Sequence, residues 1–304
     1  MNCFMCNKNI DGLNNIHTIY GNHVICDDCF HNNCFLHCEC CEELCYEDWI
    51  EEDYDYNNLC PNCMKEKFGR YSHGYKPYPK FHSMNNADRK HCLHVGIELE
   101  IEIDGINKFI ETVDKNCSED DFYLKMDGSL DDNYGVEIVS HPMMLPIALA
   151  KWEKIFKYIN QNQIVSSNDC GLHIHLDREY LNERQIRNID YIINTFNSTI
   201  EKLGGRNIVN HCWSASLNKE NEDWGKKTTN DRYVAVNFCK NTIELRCFNS
   251  TDDWFNFRWI LISVFALVEY AKIHKFDFFQ NKSDSEFEVA FHKFINKFKD
   301  KELI

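Results

Sequence analysis

The sequence predicts an α+β protein, in which helices cover a β-sheet and a small cysteine-rich domain comes first. Three observations predict this fold. Several stretches alternate aliphatic and polar residues with a period of two, as β-strands do when one face lies in a core. Segments with helical spacing of apolar residues lie between and after these stretches. The motif C-x2-C occurs four times before residue 64.

Length and composition limit the function classes. A chain of 304 residues favours two units, and 43% hydrophobic residues are enough for a sizeable core. The net charge of −15 argues against nucleic acid as a partner. The apolar run Trp259–Val268 is too short to span a membrane and is bracketed by Arg258 and Glu269. No signal peptide is evident, so we expect a cytoplasmic protein without a membrane partner.

The cysteines are concentrated at the start of the chain, with eleven of the 17 before residue 64. In a reducing compartment, clustered cysteines indicate metal binding rather than disulfides. The four pairs are Cys3/Cys6, Cys26/Cys29, Cys38/Cys41 and Cys60/Cys63. Nineteen residues separate the first two pairs and eighteen the last two, a spacing typical of tetrahedral zinc sites. We therefore predict a small zinc-stapled domain over residues 1–66, with about two structural zinc ions that supply folding energy.

Other residues compete for these zinc sites: His23, Cys34, His37, Cys40 and Cys45. Reading Cys3, Cys6, His23 and Cys26 together fits the first site of a LIM-type module, but the second half lacks LIM spacing. We take the four C-x2-C pairs as ligands. The acidic segment 42–55 is a poor surface for a phosphate backbone, so we expect a structural element or a contact site for a protein partner.

Residues 67–92 read as a linker. This segment contains Pro77 and Pro79, two of the five prolines, which favour extended backbone. It leads into the main domain, residues 93–304, on which it can pack through Tyr71, Tyr75 and Phe81.

The most informative stretch runs from Val95 to Asp104, V-G-I-E-L-E-I-E-I-D. Its odd positions are aliphatic, and its even positions carry Glu98, Glu100 and Glu102 before Asp104. Such a strand places four carboxylates on one face, where they repel each other unless the face is solvated or binds cations.

Three later strands carry complementary residues at alternate positions. Gly135–Ser140 carries Glu137, Leu172–Asp177 carries His173, His175 and Asp177, and Thr242–Phe248 carries Glu244 and Arg246. If these strands share one sheet, its open polar face holds Glu98, Glu100, Glu137, His173, His175, Glu244 and Arg246.

The remaining elements complete a helical cover. Further strands are predicted at 122–126 and 233–238, and a polar loop at 218–231. Helices are predicted over 106–113, 146–158, 182–203, 254–273 and 286–298, with the third as one long helix ended by Gly204-Gly205.

The chemistry of the polar face favours Mg²⁺ or Mn²⁺, because carboxylates with imidazoles and no thiolate suit these ions. A face that holds two metal ions is suited to a nucleoside triphosphate, whose phosphate oxygens the ions bridge. No G-x-x-x-x-G-K loop is present, so metals and arginines would hold the phosphates.

These motifs resemble those of a known family. G-x-E-x-E (Gly96, Glu98, Glu100), then G-x-H-x-H at Gly171 and E-x-R at Glu244 occur in the order seen in glutamine synthetase-like carboxylate–amine ligases. The runs D-G-S-L, G-V-E-I-V-S, C-G-L-H-I-H and T-I-E-L-R-C-F resemble the amidoligase family over about residues 93–275. Such proteins are often encoded by phages, sometimes behind tandem C-x2-C units.

The resemblance implies a glutamine synthetase-like antiparallel sheet covered by helices and an ATP-dependent enzyme. Such ligases phosphorylate a carboxylate, and an amine then displaces phosphate to form an amide. The substrates are a carboxylate and an amine, either of which can belong to a peptide or protein. By motif, Glu98, Glu100, Glu137 and Glu244 would hold Mg²⁺ (or Mn²⁺) with His173. His175 and Arg246 would contact the phosphates, and Arg232 would be a second clamp on a phosphate or a carboxylate.

Two alternatives remain open. Carboxylate–histidine faces also activate water, so a metal-dependent phosphoesterase or nuclease fits the same residues. The third hypothesis is a non-catalytic zinc-containing adaptor with a degenerate ligase fold.

Overall fold

The computed structural model describes residues 1–13, 15–52, 57–63, 77–84, 89–103, 106–125, 130, 135–161, 170–206, 215–217, 219–220, 223–228 and 233–302. The chain forms two compact units, Met1–Tyr78 with Leu124–Met126, and Pro79–Tyr123 with Asp127–Ile304. The fold is α+β, with an antiparallel sheet, helices and a cysteine-rich region at the start.

The first unit consists of short hairpins around two small cores. Its elements are β1 (Ile16–Ile19), β2 (His23–Cys26), α1 (Asp27–His31), β3 (Phe35–His37), β4 (Leu44–Tyr46), β5 (Glu51–Glu52) and β6 (Asn58–Leu59), paired β1–β2, β3–β4 and β5–β6. One core packs Ile10, Ile19 and Ile25 against cysteines, and the other has Leu59 as its only buried aliphatic residue among those described. Cores this small supply little burial energy, so the unit depends on its cysteines.

The second unit is built on a six-stranded sheet. Its strands are β7 (Val95–Glu102), β8 (Phe122–Lys125), β9 (Gly135–Ser140), β10 (Gly171–Asp177), β11 (Val236–Phe238) and β12 (Thr242–Asn249). Their order is β11-β12-β10-β7-β9-β8, and the four ladders that join β11 through β9 are antiparallel. β7 and β10 are central, so the two strands richest in predicted ligands are neighbours.

One face of this sheet is aliphatic and fully buried. Ile97, Leu99, Ile174 and Leu245 are at most 1% exposed. On the edge strand, Phe122 lies edge-on to the Trp152 ring at 5.1 Å between centroids, so a helix covers this face. The alternation of aliphatic and polar residues in the sequence therefore predicted which face of the sheet lies in the core.

The helical layer is centred on one long helix. The helices are α2 (Ile106–Asn116), α3 (Leu145–Ile159), α4 (Glu183–Thr195), α5 (Asn197–Lys202), α6 (Trp254–Ile273), α7 (Phe276–Gln280) and α8 (Asp284–Glu302). α6 packs against α3, α4 and α8. By length and composition α6 could cross a membrane, but 67% of its apolar window is buried inside the fold, as in a core helix. The short helix α7 was not predicted.

The single helix predicted over 182–203 is wrong, because the chain breaks at Phe196 (φ −94°, ψ 56°). The first part begins with a capping box between Asn182 and Gln185. The second part has its own cap, since the Asp284 carboxylate accepts hydrogen bonds from the backbone N–H groups of Ser198 (2.9 Å) and Thr199 (3.1 Å). A carboxylate that is distant in the sequence therefore caps the second helix.

The segment before β7 is fixed to the second unit. Arg89 binds Asp177 through two hydrogen bonds of 2.9 Å, and its guanidinium lies 3.7 Å over the Phe81 ring. Asp177 was predicted to share the ligand face with His173 and His175, but this ion pair occupies its carboxylate. Tyr71 and Tyr75 lie outside the described residues.

Candidate functional site

The polar side chains of four strands meet through the register of the sheet. His173 on β10 lies opposite Glu98 on β7, and His175 lies opposite Glu244 on β12. Glu100 on β7 lies opposite Glu137 on β9. Directly opposite residues of antiparallel strands have Cβ atoms about 4.5–5.5 Å apart, so the strands form a continuous row of acids and imidazoles.

This face is enclosed rather than open. Its four glutamates and His173 are between 2% and 9% exposed, which excludes the solvated surface considered for the carboxylate strand. Burying carboxylates costs free energy unless cations or hydrogen bonds compensate for the lost water. The enclosed row therefore needs positive partners.

Three side chains form a compact ligand group: Glu98, His175 and Glu244 each offer one atom within 4.8 Å of the others. His175 Nε2 lies 3.1 Å from Glu98 Oε1, close to the ligand–ligand edge of about 3.0 Å in an octahedron with bonds of about 2.1 Å. His175 Nδ1 lies 3.3 Å from the Thr242 hydroxyl, which orients the ring.

His173 lies between two carboxylate groups. Its Nδ1 is 3.6 Å from Glu98 Oε2 and 3.8 Å from Glu244 Oε1, and its Nε2 is 3.7 Å from Glu100 Oε1. This ring therefore separates the compact group from the Glu100–Glu137 pair.

Glu244 is held at both oxygens. Arg246 Nη1 donates to Oε1 at 2.6 Å, and Asn237 Nδ2 donates to Oε2 at 2.7 Å. Burial alone would raise the pKa of Glu244, but the charges of His175 and Arg246 outweigh it and lower that pKa. The Nε of Arg246 is buried with no hydrogen-bond partner among the described residues, a donor available for an anionic ligand.

Glu100 borders a glycine whose missing side chain leaves space in the site. Gly171 N–H donates to Glu100 Oε2 at 2.5 Å. A Cβ on Gly171 would lie 2.8 Å from His173 Nε2, 3.0 Å from Arg206 Nη2 and 3.1 Å from Glu100 Oε2. An acid, an imidazole and a guanidinium therefore converge beside Gly171.

Arg206 was missed by the sequence analysis. It is 3% exposed, its N–H donates to Cys247 O at 2.7 Å, and its Nη2 donates to Cys170 O at 2.5 Å. Gly204 has φ +103°, so the turn that delivers Arg206 requires glycine. The only sequence signal was an arginine directly after Gly204-Gly205.

Two further side chains at the site were missed. Asn237, the partner of Glu244, alternates with Val236 and Phe238, a pattern that could have placed it on the polar face. Tyr123 on β8 has a raised pKa, first because of burial and then because of the negative charges of Glu98 and Glu137. The predicted site residue Arg232 lies outside the described residues.

The eight predicted zinc ligands form two groups of four. The sulfurs of Cys3, Cys6, Cys26 and Cys29 lie within 4.8 Å of one another, as do those of Cys38, Cys41, Cys60 and Cys63. The distance between the sulfurs is 3.8 Å for Cys6 and Cys26 and 3.6 Å for Cys41 and Cys60. A tetrahedron with zinc–sulfur bonds of about 2.3 Å has edges of about 3.8 Å. Both groups fit structural zinc.

Backbone N–H groups point at the sulfurs of both groups. Cys26 N–H donates to Cys3 Sγ at 3.3 Å, and Cys60 N–H donates to Cys38 Sγ at 3.2 Å. Burial raises the pKa of the Cys3 thiol, but backbone N–H donors, first Cys6 and then Cys26, outweigh it and lower the pKa to about 6. The thiolate that a metal requires is thus favoured at Cys3, whereas burial and the neighbouring cysteines raise the pKa of Cys29.

The competing candidates lie outside these groups. His23 stacks on the Phe4 ring at 3.8 Å, and His37 Nδ1 lies 2.9 Å from Glu42 O. Cys45 is buried but belongs to neither group of four. Cys34 and Cys40 are exposed and belong to neither group.

Comparison with known proteins supports the resemblance seen in the motifs. Residues 87–211 match the model of a protein family described as "Putative amidoligase enzyme". This segment includes β7, β9, β10 and the turn that carries Arg206, whereas β12 with Glu244 and Arg246 follows it. No protein of curated function matches the chain.

Proposed function

We propose that this chain, which matches the amidoligase family over residues 87–211, is an ATP- and Mg²⁺-dependent ligase that joins a carboxylate to an amine. The observation that carries the proposal is the enclosed row of four glutamates with two imidazoles and two arginines. The four carboxylates exceed the two guanidinium groups, so the row is compensated best by bound cations.

Two metal positions are supported by the geometry. Glu98, His175 and Glu244 would hold one Mg²⁺, and Glu100 and Glu137 would hold a second, with His173 between them. By motif, His173 would bind metal and His175 would contact phosphate. We exchange these two roles, because His175 rather than His173 belongs to the compact group. When bound, the metals would neutralise the triphosphate and orient its terminal phosphoryl group.

The arginines would act on the anions. Arg246 has a buried Nε donor without a partner and can meet the negative charge on the transferred phosphoryl group. Arg206 lies beside Glu100 and His173, where it can bind an anionic group of a substrate.

The reaction has two balanced steps. A carboxylate oxygen attacks the terminal phosphorus of ATP, the bond to ADP breaks, and an acyl phosphate forms. The amine nitrogen then attacks the acyl carbon, phosphate leaves, and the nitrogen loses a proton to give the amide. Both nucleophiles come from substrates, so the residues position reactants and stabilise charge.

For the first unit we propose two structural zinc ions, one in each group of four cysteines. Metal would supply the folding energy that the small cores lack. Eight thiolates that hold zinc fit the reducing cytoplasm.

The test is the dependence of ADP release on an added amine. Purified protein with Mg²⁺ and ATP is supplied with a mixture of N-acetylated, lysine-free amino acids and peptides as acids, with and without hydroxylamine as the amine. The proposal expects ADP and a hydroxamate to form together, and both to disappear in Glu98→Gln. Phosphate release that needs neither acid nor amine would favour the phosphoesterase instead.

A further inference from the structure

The first 63 residues carry most of the negative charge of the protein. They contain twelve aspartates and glutamates but only one lysine and no arginine, a formal charge of −11 out of −15. Nζ of Lys8, the single lysine, lies 3.3 Å from Oδ2 of Asp28, so this cation already forms an ion pair. A surface this acidic attracts cationic partners and repels phosphate backbones.

A row of neighbouring aromatic rings lies within these 63 residues. We define the aromatic belt as His17, Phe30, Phe35, Tyr46, Trp49, Phe4 and His23. Successive ring centroids lie between 3.8 and 6.0 Å apart. The belt joins both zinc modules, because its rings come from the β1–β2 and β3–β4 hairpins and the segments around them.

The end of the belt is open to solvent. Phe4 is 50% exposed although its ring stacks on His23, and exposed aliphatic side chains of the same unit are Met1, Leu13, Ile16 and Leu36. The exposed ring of Phe4 is therefore accessible to a partner at this end of the belt.

Carboxylates stand beside the rings. Asp27 Oδ1 lies 2.9 Å from His17 Nε2 and 3.5 Å from His31 Nε2, at one end of the belt. Glu47 and Asp48 directly precede Trp49, the ring that follows Tyr46 in the belt and lies next to Phe4. Ring faces next to carboxylates suit arginine and lysine, whose cations stack on the rings while their donors bind the oxygens.

We propose that the aromatic belt binds a basic polypeptide segment in which lysine or arginine alternates with apolar residues. The apolar side chains would cover Phe4 and its neighbours, and the cations would pair with Asp27, Glu47 and Asp48. The excess of negative charge excludes nucleic acid as the favoured occupant. This inference is independent of the ligase reaction.

The test uses the full-length, zinc-loaded protein and a fluorescein-labelled synthetic peptide of alternating Lys, Arg and Leu. Fluorescence anisotropy gives its Kd at low and physiological salt. Phe4→Ala should weaken binding about tenfold, the size of a lost cation–π and apolar contact. The double variant Glu47→Gln/Asp48→Asn should weaken binding by a smaller factor and flatten its salt dependence.

Matched controls separate the belt from general attraction to an acidic protein. Phe255→Ala removes a phenylalanine that is 73% exposed in the second unit, and Glu183→Gln/Glu201→Gln removes two exposed charges there. Both should bind as wild type does. Phe4→Tyr keeps an aromatic ring and should retain affinity, which tests the proposal even if Phe4→Ala fails to fold.

Three results would overturn the proposal. The first is wild-type affinity in Phe4→Ala with its zinc content intact. The second is loss of affinity in Phe4→Tyr when its zinc content is intact. The third is tighter binding of a labelled polyuridine RNA than of the peptide.

Discussion

Arg246 donates a hydrogen bond of 2.6 Å from Nη1 to Oε1 of Glu244, and both side chains project from the same face of β12. The pair is buried, yet the Nε of Arg246 has no partner among the described residues. A purely structural ion pair would satisfy this donor. The relationship supports the proposal that Glu244 positions the Arg246 guanidinium for a further anion.

The substitution Arg246→Lys distinguishes a guanidinium that binds an anion from one that only neutralises Glu244. Arg246→Lys keeps the positive charge but loses the planar fork that matches phosphoryl oxygens. We expect turnover to fall by a factor on the order of 10² to 10³, as for the loss of one charge-stabilising donor, with little change in ATP affinity. Hydroxamate formation measures turnover, and calorimetry measures ATP binding.

The contrary account treats Arg246 as a counter-ion for Glu244 alone. In that case Arg246→Lys would leave turnover nearly unchanged, and Arg246→Ala would lower thermal stability by leaving a buried carboxylate unpaired. Wild-type turnover in Arg246→Lys removes this residue from the mechanism.

Neutralising the carboxylates of β7 tests the metal positions. Glu98→Gln and Glu100→Gln keep size and hydrogen bonding, so folding should survive while Mg²⁺-dependent ATP binding weakens. Without metal, the melting temperature should rise, because repulsion between buried like charges falls. Glu102→Gln, on the same face of the same strand, is the matched control and should bind ATP normally. Unchanged ATP binding in the Glu98→Gln/Glu100→Gln double variant contradicts the proposed role.

The zinc groups predict a metal stoichiometry. Wild-type protein should contain about two zinc ions per chain, and Cys3→Ser or Cys60→Ser about one, with unfolding of the affected module. Elemental analysis measures the metal, and proteolysis measures the unfolding. Cys34→Ser, which changes an exposed thiol outside both groups, should keep both ions. Undamaged wild-type protein free of zinc contradicts the assignment.

His94 predicts a pH dependence of stability. Burial lowers its pKa, and nearby Arg89 and His82 lower it further, although Asp177 acts in the opposite direction. Below about pH 6.5 the unfolded chain binds a proton that the folded state resists, so stability falls as pH falls, by at most about 1.4 kcal/mol per pH unit. The free energy of unfolding, measured with urea between pH 7.5 and 5.5, should fall less steeply with falling pH in His94→Gln than in wild type. Equal slopes in both proteins contradict this prediction.

The strand pattern was readable from the sequence because a period of two fixes which residues share a face. It placed Glu98, Glu137, His173 and Glu244 on the polar face before any pairing was known. The pattern could not tell which of these residues lie opposite each other, since the strand order depends on tertiary packing. Consequently the grouping of His175, rather than His173, with Glu98 appears only in the structure.

Other features depend on contacts between distant parts of the chain. The carboxylate of Asp284 caps the helix that begins after the break at Phe196, and the backbone N–H of Arg206 binds the carbonyl of Cys247. The strand period also could not show that Arg89, from the preceding segment, binds the carboxylate of Asp177. Local periodicity contains no signal for such partners.

The central claim, phosphorylation of a substrate carboxylate, is tested most directly by isotope transfer. A mixture of amino acids and peptides with heavy oxygen in their carboxylates is incubated with protein, Mg²⁺, ATP and hydroxylamine, and the released phosphate is analysed by mass spectrometry. The account predicts that each phosphate carries one heavy oxygen from the acid, because the acyl phosphate breaks at its acyl carbon. Phosphate whose new oxygen comes only from water would contradict it and indicate a hydrolase.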